Sequence, residues 1–371
     1  MTIDRRTFNL SLIALGLGAL APRAARADAT RGFLSTGFDA LRNRHLVSRI
    51  GDGLDIVWDL ALPARGHGTA VRPASDEGLV VARRPGTYAL TFGLEDGEAR
   101  HRIPQAPGRH FYGHGVYSAD GNTLWMTEND FDNGEGVIGV YDAASGYARR
   151  GEFKSGGIGP HQLLQMPDGR TLAVANGGIL THPDRGREKL NLDTMSPSLA
   201  YLDGFTGRMI NQVFFDDTRR QKLSIRHMVV LPDGRVAVGC QDQAKDGTNL
   251  PLVYIHDRAA GDRLTALEIP TDMLDRFNGY CGSVACGGDG KTLAVSSPRG
   301  GLVGFWRLPG GTWQGHIDLA DGCGLAPGAN GGIAASSGTG TVGYWDKAAV
   351  PAGTAKHPFR RWDNHMTAIG A

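Results

Sequence analysis

One pattern returns along the chain and limits the folds open to it: a key residue, an apolar run, a turn, and a second apolar run. It reads HGTAVRPASDEGLVVARRPG from His67, HGVYSADGNTLWMTEND from His114, HQLLQMPDGRTLAVANGG from His161 and HMVVLPDGRVAVGCQDQ from His227. Weaker copies are CGSVACGGDGKTLAVSSPRGG from Cys281 and CGLAPGANGGIAASSGTG from Cys323, and the spacing His67–His114–His161 is 47 residues twice over. Each unit continues with further strand-like runs, such as GVIGVYDAASG, SLAYLDGFTGRMINQVFF and GLVGFWRLPGG. About four short antiparallel strands per forty to fifty residues is the period of a β-propeller blade. A blade cannot bury both faces of its sheet alone, so the copies must stack around an axis.

The ends supply the blade that six units leave wanting. WDNHMTAIGA opens one strand at His365 with nothing after it, and three strand-like runs, Gly32–Phe38, His45–Ile50 and Leu54–Leu62, precede the first copy. One C-terminal strand placed innermost against three N-terminal ones makes a seventh sheet and closes the ring without free edges. The sequence therefore predicts an all-β, seven-bladed propeller over residues 28–371. The 55 glycines and 18 prolines fit many short strands better than long helices. Residues 1–27, with Arg5-Arg6, an apolar run from Leu10 to Ala21 and Ala25-Arg26-Ala27, read as a twin-arginine signal peptide, so the expected location is the periplasm. Its apolar run is too short to span a bilayer. With 39 basic against 38 acidic residues, no charge excess points to nucleic acid or an anionic membrane, and no membrane insertion is expected.

In a propeller the first strand of each blade lines the channel, so the key position describes a ring: His67, His114, His161, His227, Cys281, Cys323 and His365. Imidazole and thiolate are preferred ligands of copper, zinc and iron, which makes these seven a candidate metal-ligand pool. The competing reading is a water-filled channel with hydrogen-bonded histidines and a Cys281–Cys323 disulfide. The ends of the second strands carry Arg83-Arg84, Glu128-Asn129-Asp130, Asn176, Gln241-Asp242 and Arg299. Arg83, Arg299 and Asn176 are candidate cofactor-binding residues, the arginines for a carboxylate or phosphate. The longer step from His161 to His227, 66 residues, marks an insertion between residues 177 and 198 that would lie over one channel mouth. Cys240 reads as packing, and Cys281 and Cys286 are wrongly spaced for a redox pair or a zinc knuckle. Covalent haem attachment, a nucleophile elbow and a P-loop all lack their motifs.

The signal, the His-led repeats, the inserted THPDRGREKLNLDTMSPSL and the terminal WDNHMTAIG together resemble the periplasmic propeller family catalogued as domain of unknown function 1513. The resemblance implies a role in acquiring iron or another metal, with imelysin-like proteins as partners. GPHQLLQMPDGRTLAVANGG is also similar to a repeat of lactonase-type propellers. That likeness keeps a hydrolase open, with His161 as acid/base and Glu128 or Asp242 as its partner. A histidine ring in seven blades further resembles nitrous oxide reductase, although two ring positions here are cysteine. The leading expectation is a periplasmic binding protein holding iron or copper, with zinc as a further candidate, at the channel mouth; the alternatives are the hydrolase and an interaction scaffold.

Overall fold

The computed structural model describes residues 31–84, 86–244, 246–328, 331–346 and 350–370; the expected signal peptide lies outside them. Seven four-stranded antiparallel sheets are arranged as blades. Blade 1 joins the C-terminal strand Arg360–Ile369, innermost, to Gly32–Asp39, Arg44–Ile50 and Ile56–Leu62. Its seam pairs Phe33 with Ala368, Leu34 with Thr367 and Ser35 with Met366. This is the closure expected from the sequence. Blades 2 to 7 follow in chain order, with inner strands Gly66–Val71, Arg109–Tyr117, Pro160–Gln165, Leu223–Val230, Ser283–Cys286 and Gly322–Pro327.

The strand sequences follow from this layering. Second strands are covered by neighbouring blades on both faces, and Glu77–Ala82, Thr171–Asn176 and Thr292–Ser297 are buried at every position. Outermost strands face solvent, as in Ala99–Pro104, where every residue but Ile103 is exposed. The core is a series of wedges between blades; the largest runs across blades 4 to 6 and includes Met228, Val238, Leu252, Phe277 and Trp306. Trp125 fills another wedge and donates its indole N–H to Gly204 O at 2.8 Å, so its one polar atom is satisfied in the core.

The Pro-Asp-Gly turn that sets the repeat has a local cause. Asp168 Oδ1 accepts from Arg170 N and Thr171 N, and Gly169 takes φ +66°, which the turn requires. Among the described residues no helix is long and apolar enough to cross a membrane.

Candidate metal centre in the propeller channel

The inner strands are irregular just where the key residues fall. In blade 2, Gly66 faces Ala82 and Thr69 faces Val80, so His67 and Gly68 together oppose Val81. His161 is the extra residue in blade 4, Arg226 in blade 5, and Tyr112 to His114 oppose Thr127 alone in blade 3. Cys323-Gly324 and Asp363 to His365 are bulged likewise in blades 7 and 1. A bulge re-aims a side chain that regular pleating would send elsewhere. It also takes carbonyls out of the ladder, and hydroxyls collect them: Ser35 Oγ donates to His365 O at 2.9 Å and Thr36 Oγ1 to His67 O at 3.2 Å. Thr127 Oγ1 reaches His114 O and His161 O at 3.3 and 3.4 Å, and Ser296 Oγ reaches Cys323 O at 2.6 Å.

Five imidazoles converge on the axis. One ligand nitrogen from each of His67, His114, His161 and His365 lies within 4.8 Å of the other three, all four residues being buried. His67 Nε2 and His161 Nε2 are 3.5 Å apart. His227 stands outside this quartet but packs on it, with ring centroids 4.8, 4.9 and 6.2 Å from His365, His161 and His114. The cluster stoppers the channel. A cavity of about 430 Å³ on one side borders His67, His161 and His227; a smaller one of about 80 Å³ on the other borders His114, His227 and His365. Glycine makes the close approach possible: a Cβ on Gly113, at φ +106°, would sit 2.5 Å from the His67 ring, and one on Gly68 would sit 2.7 Å from His114 Nδ1.

Burial holds these imidazoles neutral. Desolvation, followed by the neighbouring histidines and arginines, keeps His67, His114, His161 and His227 well below the ordinary imidazole range. His365 is lowered to about 4, chiefly by burial and partly offset by Asp363. The neutral ring is the form that ligates a metal. Moreover, His67 Nδ1, His114 Nε2, His227 Nδ1 and His365 Nε2 are buried without a hydrogen-bond partner. Each such atom costs roughly 1–3 kcal/mol of desolvation. A cation bonded to several of them would remove that cost, so the donor set fits a metal.

The two cysteines do not join the ring. Counting back from the backbone bond that closes each turn, His161 stands five residues before Met166, while Cys281 stands six before Gly287. His67 likewise stands five before Arg72, and His114 and His227 stand four before Ser118 and Leu231, so Cys281 lies outside the histidines' register. The inner strand of blade 6 has no bulge, and the Cys281 side chain turns into the wedge beside Gly239, Cys240 and Leu252. Cys323 does sit in a bulge, but its Sγ lies 3.0 Å from Asp321 O. Burial pushes both thiols upward, Cys281 to about 12, and both are free rather than joined as a disulfide. Cys240 is core packing, as the sequence suggested.

The hydrolase constellation is likewise not assembled. Glu128 is fully buried and held by Tyr141 Oη at 2.6 Å and Arg149 Nη2 at 2.8 Å, both from the outer half of blade 3. Asp242 is engaged by Arg219. Neither borders the cavity that His161 lines. Asn176 also departs from expectation: its amide bonds Ser155 and Ser198 and ties two blades together.

Arg83 and Arg299 do line the larger cavity, Arg83 against Asp363 at 3.3 Å and Arg299 over the Tyr280 ring at 4.7 Å. Sequence reasoning missed their companions Arg65, Arg187, Lys189 and Arg226. The residues beside each key histidine held the signal, since Arg65 lies two before His67 and Arg226 immediately precedes His227. The inserted segment contributes Ile179, Thr181, Arg187 and Lys189 to the same wall.

Fold and site define a class: a seven-bladed propeller whose channel is plugged by buried imidazoles beneath a cationic vestibule. The chain belongs to the family described as "Protein of unknown function (DUF1513)", which matches residues 60–369. Its fold is similar to that of Kuenenia stuttgartiensis hydrazine synthase, at 16% identity over 80% of this chain and 88% of that one, TM-score 0.62. It is also similar to BamB from Moraxella catarrhalis, at 14% identity over 87% of each chain, TM-score 0.51. At such identities the likeness shows the fold alone. No curated protein matches the chain.

Proposed function

We propose that the protein binds one transition-metal ion in the channel, with His67, His114, His161 and His365 as ligands and His227 as a reserve or exchange ligand. The observation that carries this reading is the convergence of four buried, neutral imidazoles with nitrogens within 4.8 Å of one another. Metal–nitrogen bonds of about 2.0–2.1 Å place tetrahedral ligand atoms about 3.4 Å apart. The 3.5 Å between His67 Nε2 and His161 Nε2 is near that spacing, and the quartet nitrogens, within 4.8 Å of one another, draw together by up to about 1.4 Å on binding. An all-imidazole set suits copper, zinc or iron, and lacks the carboxylates that would favour magnesium or calcium.

In this reading the protein works in the periplasm, exported by the twin-arginine segment, and serves metal acquisition beside imelysin-like partners. The closed fold supports a carrier or sensor role, because the site is buried between two channel cavities. Metal analysis of untagged protein after reconstitution with copper, zinc or iron tests the proposal. One equivalent of metal, lost when His67 and His365 are both replaced by alanine, is the expected result; no stoichiometric metal under any loading condition rejects it.

A further inference from the structure

The cavity above the histidines carries far more positive charge than the protein neutralises. Arg65, Arg83, Arg84, Arg187, Lys189, Arg226 and Arg299 line it, and among the described residues Asp321 is the one acid in its wall. Asp363, buried beneath, is shared between Arg65 at 2.5 Å and Arg83 at 3.3 Å. Six arginines thus face two carboxylates in a molecule whose net charge is +1.

Two of the arginines are poised rather than paired. Arg84 Nη1 and Arg226 Nε are buried without a hydrogen-bond partner, and among the described residues neither has a carboxylate within ion-pair distance. Arg226 is the bulge residue of blade 5, thrust toward the cavity next to His227. Tyr112, Tyr280 and Asn364 add neutral polar groups to the wall; Tyr280 Oη accepts from Asn364 Nδ2 at 2.9 Å.

We infer that the vestibule is a binding site for a small polyanion, a molecule bearing two or more carboxylate or phosphate groups. Guanidinium pairs these groups bidentately, and the cations come from blades 2, 5 and 6 and from the inserted segment, so they surround the opening. A ligand with anionic groups on several sides meets more of them than a monoanion does. The cavity, about 430 Å³, falls in the roughly 300–1,000 Å³ range of small-molecule sites and is too confined for a nucleic acid. Because His67, His161 and His227 form its floor, the bound anion touches the histidine cluster. The site stands on the arginines alone and survives failure of the metal reading.

The test is calorimetric titration of metal-stripped full-length mature protein with citrate and with pyrophosphate, against acetate and neutral triethyl citrate at matched ionic strength. Saturable one-to-one binding of citrate or pyrophosphate is expected, at least about 30-fold tighter than acetate, with the stronger of the two identifying carboxylate or phosphate as the preferred group. Arg226→Gln should weaken it about tenfold or more while leaving the unliganded protein as stable as the parent or more so, because it removes an unpaired charge. Arg187→Gln should weaken it as well, and its exposed position on the inserted segment frees that result from questions of folding. Replacing His114 and His365, which border the opposite cavity, by alanine should leave anion binding in place, which separates this site from the metal centre. Absence of saturable binding by either anion up to about 5 mM, or binding that both arginine variants leave unchanged, overturns the inference.

Discussion

Blades 1 to 5 and blades 6 and 7 present the same repeat to the channel with opposite results. The five histidines of the first sector reach the axis; the two cysteines of the second turn away from it. In blade 6 the difference is backbone register; in blade 7 it is a local acceptor for the thiol. Each histidine sits in or beside a bulge, and hydroxyls of Ser35, Thr36 and Thr127 hold the displaced carbonyls of His365, His67, His114 and His161. Blade 6 has no bulge, so a slip of one residue sends Cys281 between sheets. Blade 7 keeps the bulge, but Asp321 O captures the thiol. A repeat places a candidate ligand near an axis; the bulge, and the acceptors beside it, decide whether it arrives.

The widest gap between the sectors should appear in metal affinity. Replacing His67 and His365 together by alanine removes half the quartet and is expected to weaken metal binding at least about a thousandfold, roughly 4 kcal/mol. Replacing Cys281 and Cys323 together by alanine should change it less than about threefold. Competition titration with a chromophoric chelator measures both, and a large loss in the cysteine variant would erase the contrast.

Acid should expose the same division. The ring histidines have folded-state pKa values below the unfolded value near 6.5, so the unfolded chain binds more protons in that range. Their contribution is fully present above about pH 6.5 and is lost as pH falls toward the folded values, about 4 for His365. For His365 alone this amounts to about 3 kcal/mol at the acid end. Urea midpoints of the metal-free protein should fall between pH 7 and pH 5 and do so less in a His365→Phe variant. The raised thiols of the other sector stay protonated throughout this window and add no slope.

Smaller effects probe the devices that aim the rings. Gly113→Ala forces a Cβ against the His67 ring at a left-handed backbone and should cost about 2 kcal/mol in denaturant melts. Thr127→Val removes the hydroxyl beneath two histidine carbonyls and should cost about 1 kcal/mol, with up to about a tenfold loss of metal affinity. If Thr127→Val alters stability without touching affinity, its hydroxyl supports the fold and not the site.

Much of this was legible in the chain. Seven sheets, the terminal closure and the five ring histidines follow from a repeat whose turns and apolar runs are local signals. What escaped were features of register and of three-dimensional charge. Cys281 looks equivalent to His161 until the turn bond is counted, because a one-residue offset leaves no mark on an apolar pattern. Glu128 and Asn176 occupy the right strand ends but point into sheets, where Arg149 and Ser155 engage them. The cationic vestibule draws on Arg65, Arg187 and Arg226, which lie far apart in the chain within a nearly neutral composition, and only the assembled ring adds them together.

X-ray absorption spectroscopy of the metal-reconstituted protein weighs the two sectors most directly. The account predicts a shell of nitrogen scatterers at about 2.0–2.1 Å with the outer-shell pattern of imidazole and no sulfur. A sulfur shell near about 2.3 Å would place Cys281 or Cys323 on the metal and contradict it.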